Sequence, residues 1–327
     1  MAETNIKGGH VVGVDLGGTK ILAGVFSPTL QKLGTAKIST KANRGCEAVV
    51  ARIVRCVRDA VDEADLQMKQ IQAIGIGAPG AVNGETGEVI FAPNLDWHDI
   101  PLKKQLEKNL GVPVCVENDC NMAMLGVYAA ELKSKPRHAF GIFVGTGIGG
   151  GIIINGDLYS GFNHVAGEIG HMVLDVSGPK CGCGNRGCFE ALASRTAIFQ
   201  QLRLAVKDGR KTCLTEGRGE SLEGLRSGDL RKALRRNDKL AEEVVDGAAQ
   251  WIGIAVANLV NTLSPEVVVL GGGVIEALAD DMLAEIIEVA RDNAMAGVMD
   301  KVDIIASKLG DDAGIIGGAV LARRMMP

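Results

Sequence analysis

No block of basic residues and no long uncharged apolar run occurs in the 327 residues of this chain. The first absence argues against nucleic acid as a partner, because phosphate-backbone recognition needs a positive footprint. The formal net charge of -4, from 35 Lys and Arg against 39 Asp and Glu, points the same way. The second absence excludes a bilayer-spanning helix and the apolar core of a secretory signal. A regular disulfide framework is missing too: of the 8 cysteines, Cys46, Cys56, Cys115, Cys120 and Cys213 are scattered through periodic segments. A soluble chain in a reducing cytoplasm is the expectation. Its length is enough for a large core and for two domains.

Glycine is abundant, with 44 residues, which implies many tight turns and close approaches of backbone to ligand. The least ambiguous chemistry lies between Glu168 and Glu190. There His171, Cys181, Cys183 and Cys188 supply one imidazole and three thiols, a tetrahedral donor set suited to zinc. The plain alternative is a reduced cysteine loop without metal. Four protein ligands fill the zinc shell and leave no position for reactive water, so the expected ion is structural, a clamp on the loop between the carboxylates of Glu168 and Glu190.

Along the chain, residues 1–10 are polar and expected to fray. Two β-rich runs from Val11 are joined by a glycine turn with Asp15 at the end of the first. Backbone N–H groups of Gly17, Gly18, Thr19 and Lys20 can converge on phosphate, and Asp15 can hold hydrated magnesium, although such a turn alone is also an ordinary hairpin. Residues 47–64 carry a helical apolar stripe, and residues 71–80 read as a buried strand running into the Pro79-Gly80 turn. Gly80 and the segment Asn94-Leu95-Asp96-Trp97 are candidate walls of a small-molecule pocket, with Trp97 equally readable as a packing residue.

Residues 100–110 read as a helix and 112–116 as a strand, followed by Glu117-Asn118-Asp119 before an apolar helix over 122–132. Asn118 or Asp119 can cap that helix, or Asp119 can point into a cleft as a proton acceptor. A second glycine turn, with Gly145, Thr146, Gly147 and Gly149, repeats the first, and the pair could grip a triphosphate. Neither turn has the spacing of a P-loop or a dinucleotide fingerprint. Helices are expected over 191–207, 240–263 and 313–324, a solvated excursion over 208–238, and strands from Pro265 and over 302–306. Gly271, Gly272 and Gly273 form a third cluster on which a flat ring system could lie.

These residues together resemble the ROK family of sugar kinases and repressors. The likeness is carried by Asp15-Leu-Gly-Gly-Thr-Lys20, Glu117-Asn-Asp119, the glycines of residues 145–151, and above all Glu168-x-x-His171 with Cys181-x-Cys183 through Cys188-x-Glu190. It covers nearly the whole chain. It implies an α/β actin-like ATPase fold of the ribonuclease-H type, with two domains around a central cleft. The small domain would comprise residues 1–118 completed by 312–327, and the large domain residues 119–311.

The resemblance further implies ATP and magnesium as cofactors beside structural zinc. Asp119 matches the catalytic base, and Asn118, Glu168, His171 and Glu190 match sugar-hydroxyl ligands, His171 also binding zinc. Within the family the chain looks most like the glucokinases, so phosphorylation of glucose at the 6-hydroxyl is expected. Fructose, mannose, allose, N-acetylglucosamine and N-acetylmannosamine are alternative acceptors, and a non-catalytic sugar-binding protein is an alternative class. Family repressors carry a helix-turn-helix domain before the first glycine turn, and the residues before Asp15 are too few for one. By the same resemblance the protein is expected to be a homodimer or homotetramer.

Overall fold

The computed structural model describes residues 9–326; of residues 1–10, which were expected to fray, 1–8 lie outside the described residues and His10 instead opens the first strand. The chain forms two compact units. The first holds the chain up to Lys135, Gly151–Gly167 and the chain from Asp311 onward; the second holds Pro136–Gly150 and Glu168–Gly310.

In the first unit, β1 (His10–Leu16), β2 (Lys20–Phe26) and β3 (Lys32–Ser39) form an antiparallel run, followed by α1 (Cys46–Glu63) and β4 (Ile71–Ala78). A small sheet of β5 (Ala81–Asn83), β6 (Glu88–Ala92) and β7 (Trp97–Ile100) leads to α2 (Leu102–Leu110), β8 (Val114–Asn118) and α3 (Asp119–Ala130). The main sheet is ordered β3-β2-β1-β4-β8, with β4 parallel to β1 and β8 parallel to β4. Its apolar residues are buried against α1, whose stripe of Val50, Ile53, Val54, Val57 and Val61 faces the core as its spacing predicts.

The second sheet repeats this order. It runs β11 (Asp157–Leu158), β10 (Ile148–Ile154), β9 (Ala139–Val144), β12 (Val267–Gly271), β13 (Asp303–Ala306), the last two parallel to β9 and to each other in turn. The helices of the second unit are α4 (Phe189–Ala193), α5 (Arg195–Lys207), α6 (Ser227–Leu234), α7 (Lys239–Leu263) and α8 (Gly273–Asn293), and the chain ends on α9 (Asp312–Arg324) in the first unit. Three strands joined by tight turns and two added in parallel, used twice, are the ribonuclease-H topology that the sequence led us to expect.

The glycine content has a packing cause. Helix α9 lies so close to β4 that a Cβ on Gly75 would stand 2.1 Å from the carbonyl oxygen of Gly318, and one on Gly317 would stand 1.8 Å from that of Met122 in α3. No side chain fits at either contact. Because α3 packs on α9 in this way, the first unit continues past residue 118, where the sequence suggested its boundary, as far as Lys135. The single helix expected over 191–207 is two: buried Ser194 interrupts it and its Oγ accepts the Ala197 N–H at 3.2 Å, capping α5.

Candidate active-site residues

In the first unit the strand register gathers the candidate residues. Asp15 on β1 pairs with Gly77 on β4, and Gly77 with Glu117 on β8, so three parallel strands end in one row. Ligands in α/β sheets are bound at such carboxyl ends. The turn after β1 is closed by the Gly17 N–H donating to the Lys20 carbonyl at 2.9 Å. Buried Thr40, at the end of β3, donates its hydroxyl to the Gly17 carbonyl at 2.6 Å. Sequence reasoning missed Thr40, whose link to Gly17 crosses 23 residues.

Half-buried Asp15 packs against the first turn of α9: a Cβ on Gly314 would lie 3.2 Å from its carboxyl carbon. Burial pushes its pKa up to about 6; the ammonium of Lys20 opposes this, Asp311 adds to it, and Lys37 opposes it. Lys20, expected to face phosphate, makes an ion pair with Asp311, which also accepts from Lys37 at 3.0 Å. A carboxylate at a strand end beside a glycine turn is the oxygen donor that magnesium takes, so Asp15 fits that ion. Asp311 and Lys37 carry no motif that marks them in the sequence.

At the next strand end, Asn118 is the N-cap of α3, its Oδ1 accepting from Cys120 N at 2.9 Å and Asn121 N at 3.1 Å. Its Nδ2 donates to the carbonyl of Gly80 at 3.0 Å. Gly80 has φ 86 and no room for a side chain, since its Cβ would meet the Phe91 oxygen at 2.1 Å. The cap fixes Asp119 as the first residue of α3, half-buried, over a Gly77 whose Cβ would lie 3.2 Å from the Asp119 Cα. Buried Glu117 steadies the same turn, accepting the Asn118 N–H at 2.8 Å and the Asn121 side chain at 3.1 Å. Burial raises its pKa, which those two bonds and His164 counter. Asn94 is exposed and in van der Waals reach of Gly18, so a candidate pocket wall abuts the first glycine turn. Trp97 is 1% exposed and is a packing residue.

In the second unit, the His171 ring and the sulfurs of Cys181, Cys183 and Cys188 place their ligand atoms within 4.8 Å of one another. Cys181 Sγ is 3.8 Å from His171 Nδ1, and Cys183 Sγ is 3.6 Å from Cys188 Sγ. Tetrahedral zinc with bonds of about 2.3 Å to sulfur separates its ligands by about 3.8 Å, so this donor set fits that ion. Using Nδ1 for metal leaves Nε2 of His171 to another partner. Glu168 is exposed, yet partial desolvation raises its pKa, against the pull of His171 and with the push of Glu190.

Glu190 reaches the second glycine turn. Its Oε2 accepts the Ile148 N–H at 2.9 Å and occupies the space that a Cβ on Gly147 would need. Thr196 on α5 donates its hydroxyl to the Thr146 carbonyl at 2.7 Å, repeating what Thr40 does at Gly17. Gly149 follows inside β10. The third cluster is set against β9: a Cβ on Gly271 would meet the Phe143 ring at 2.7 Å and one on Gly272 the Val144 oxygen at 2.6 Å, whereas Gly273 faces open space. Thus Asp15, Gly17, Gly18, Thr19, Lys20, Gly80, Asn94, Asn118 and Asp119 belong to the first unit. Gly145, Thr146, Gly147, Gly149, Glu168, His171, Cys181, Cys183, Cys188, Glu190 and Gly271 to Gly273 belong to the second.

Two sheets of ribonuclease-H order, each with a glycine turn between its first two strands, define an α/β protein of the actin-like class. Over residues 11–325 the sequence matches the model of the ROK family, and the chain belongs to that family. It is 34% identical over 314 residues to a glucokinase of Thermotoga maritima, covering 96% of this chain and 97% of that one. The crystal structure of a ROK family glucokinase from Streptomyces griseus in complex with glucose and AMPPNP matches with a TM-score of 0.84 and 34% identity, over 97% of this chain and 100% of the other. A ROK family transcriptional regulator, a homologue of the E. coli MLC protein, matches with a TM-score of 0.85 and 25% identity, over 98% of this chain and 79% of its own. Among the described residues no helix is long and apolar enough to cross a membrane.

Proposed function

We propose that this ROK-family sugar kinase transfers the γ-phosphate of ATP to the 6-hydroxyl of glucose, giving glucose 6-phosphate and ADP. The observation that carries the reading is the bond from the Ile148 N–H to Glu190: a carboxylate suited to sugar hydroxyls is anchored on a glycine turn suited to phosphate. The likeness to glucokinases, one of them with glucose and AMPPNP bound, supports glucose as acceptor and ATP as donor.

In this mechanism Asn94, Asn118, Glu168, His171 and Glu190 orient the sugar hydroxyls, with Gly80 in the pocket wall. Asp119 takes the 6-hydroxyl proton as the new O–P bond forms and the bond to the β-phosphate oxygen breaks, and ADP leaves with that electron pair. Gly17, Gly18, Thr19 and Lys20 form one phosphate-binding turn, and Gly145, Thr146, Gly147 and Gly149 form a second. Gly271 to Gly273 receive the adenine. Asp15 would hold magnesium, which when bound would offset phosphate charge. His171, Cys181, Cys183 and Cys188 would hold zinc, which would steady the loop that leads from His171 to Glu190.

The test is ATP-dependent phosphorylation across a panel of hexoses and N-acetylhexosamines, compared as kcat/KM with polyphosphate as a second donor. A strong preference for glucose is expected. Turnover confined to fructose, mannose, allose or an acetamido sugar would reassign the acceptor. The likeness to a regulator supports a second reading, sugar binding without transfer, which binding of glucose with no turnover on any acceptor would establish.

A further inference from the structure

Arg195, the first residue of α5, lies against the second glycine turn and belongs to none of the motifs so far assigned. Its backbone N–H donates to the Gly145 carbonyl at 3.0 Å, and its guanidinium donates to the Thr146 hydroxyl oxygen. The residue is half-buried and makes no ion pair among the described residues. The turn it touches is equally unsatisfied. Gly145 N donates to the Gly147 carbonyl at 2.9 Å and Ile148 N to Glu190 at 2.9 Å, while the N–H groups of Thr146 and Gly147 have no acceptor among the described residues.

We infer that Arg195 is a phosphate-binding residue of the nucleotide site, acting with Thr146 on the phosphates of a nucleoside triphosphate. Three features of the geometry lead there. Because the Thr146 oxygen accepts from the guanidinium, its own proton is left to donate to an anion, and the bond from a cation strengthens that donation. A guanidinium has five N–H donors in a planar fork, and the bond to Thr146 leaves the others to a phosphate oxygen. Two main-chain N–H groups without acceptors, a hydroxyl proton and a positive charge with no carboxylate partner therefore meet at one turn. Their common complement is a phosphate. Thr196 holds the Thr146 carbonyl at 2.7 Å, so the turn keeps its shape independently of the guanidinium.

This assignment rests on the kinase reading, and the experiment separates the two. Arg195→Ala retains the backbone bond to Gly145, so the turn and α5 are expected to survive; bound metal and the unfolding temperature verify that. AMPPNP, adenosine and glucose affinities are measured by calorimetry on wild type, Arg195→Ala and Arg195→Lys, alongside steady-state kinetics. Loss of a charge-assisted contact predicts AMPPNP binding about 10- to 100-fold weaker in Arg195→Ala. The KM for ATP should rise similarly, adenosine and glucose affinities should stay within about threefold of wild type, and Arg195→Lys should recover part of the loss. Unchanged AMPPNP affinity would overturn the inference. So would an equal loss for adenosine or glucose, which would make Arg195 a brace of the turn. Absence of turnover in the wild type would instead reject the kinase reading, with the AMPPNP comparison still deciding the role of Arg195.

Discussion

Glu190 and Ile148 are joined by a 2.9 Å hydrogen bond from the Ile148 N–H to Oε2, across 42 residues of chain. The helix that follows the metal loop thus buttresses the second glycine turn. Glu190→Gln keeps an oxygen for Ile148 but loses the charge that suits sugar hydroxyls. It is expected to raise the KM for sugar by about 10- to 100-fold, with the KM for ATP little changed. Glu190→Ala removes the buttress as well, and both constants should rise. Steady-state kinetics on the two variants checks this, and an unchanged KM for ATP in Glu190→Ala would detach the turn from the carboxylate.

Asp15 gives a pH dependence with a defined sign. Its carboxyl is pushed from 3.8 up to about 6, so between about pH 4 and 6 the folded chain keeps a proton that the unfolded chain has released. The stability linked to this group is complete below the unfolded pKa and is lost as pH rises through about 6. Asp15→Asn, which cannot ionise, should therefore stabilise the protein by about 1–2 kcal/mol at pH 7.5, a gain that shrinks as pH approaches 4. Magnesium should stabilise the wild type at pH 7.5 and leave the variant unmoved. Unfolding temperatures at several pH values decide it, an equal shift at all of them being the contrary result.

Local signals of this kind explain what was legible before the structure. The metal cluster is readable because Cys181, Cys183 and Cys188 lie in one short loop, and α1 because its apolar residues repeat at helical spacing. The glycine turns are readable as turns. What holds them is not: Thr40 reaches Gly17 across 23 residues and Thr196 reaches Thr146 across 50, and a threonine at the end of a strand or the start of a helix carries no mark of such a partner. Capping by Asn118 or Asp119 and presentation of Asp119 stood as alternatives in the sequence; the structure shows the cap to be Asn118, which sets Asp119 as the first residue of α3. Helix α8 was missed because it begins at Gly273, in a cluster that reads as a turn, although Val274, Leu278, Met282 and Ile286 repeat at helical spacing.

The metal cluster predicts a separable defect. Cys183 is exposed, so its replacement opens no cavity, yet its sulfur lies 3.6 Å from that of buried Cys188. Cys183→Ser is expected to lower zinc from about one ion per chain to a small fraction of that and to reduce the unfolding temperature on the order of 5 °C. Sugar affinity should fall with the metal, because His171 loses the ion that fixes its ring. Metal analysis paired with calorimetry tests the coupling; a metal-free variant with full sugar affinity would make the cluster a stability element alone.

Asp119 carries the sharpest expectation for the chemistry. It is the first residue of α3, and the cap that holds it belongs to Asn118, so Asp119→Asn leaves the cap in place and keeps an Oδ1 to accept the Cys120 N–H. A group that acts by accepting the sugar proton contributes to the transition state far more than to the ground state. Turnover should therefore fall by about 10²- to 10⁴-fold, with glucose and AMPPNP affinities within about threefold of wild type. Calorimetry and single-turnover kinetics measure the two effects separately. Turnover within tenfold of wild type would mean that another group takes the proton. A matched loss of sugar affinity would make Asp119 a sugar ligand whose removal slows the reaction by misplacing the 6-hydroxyl.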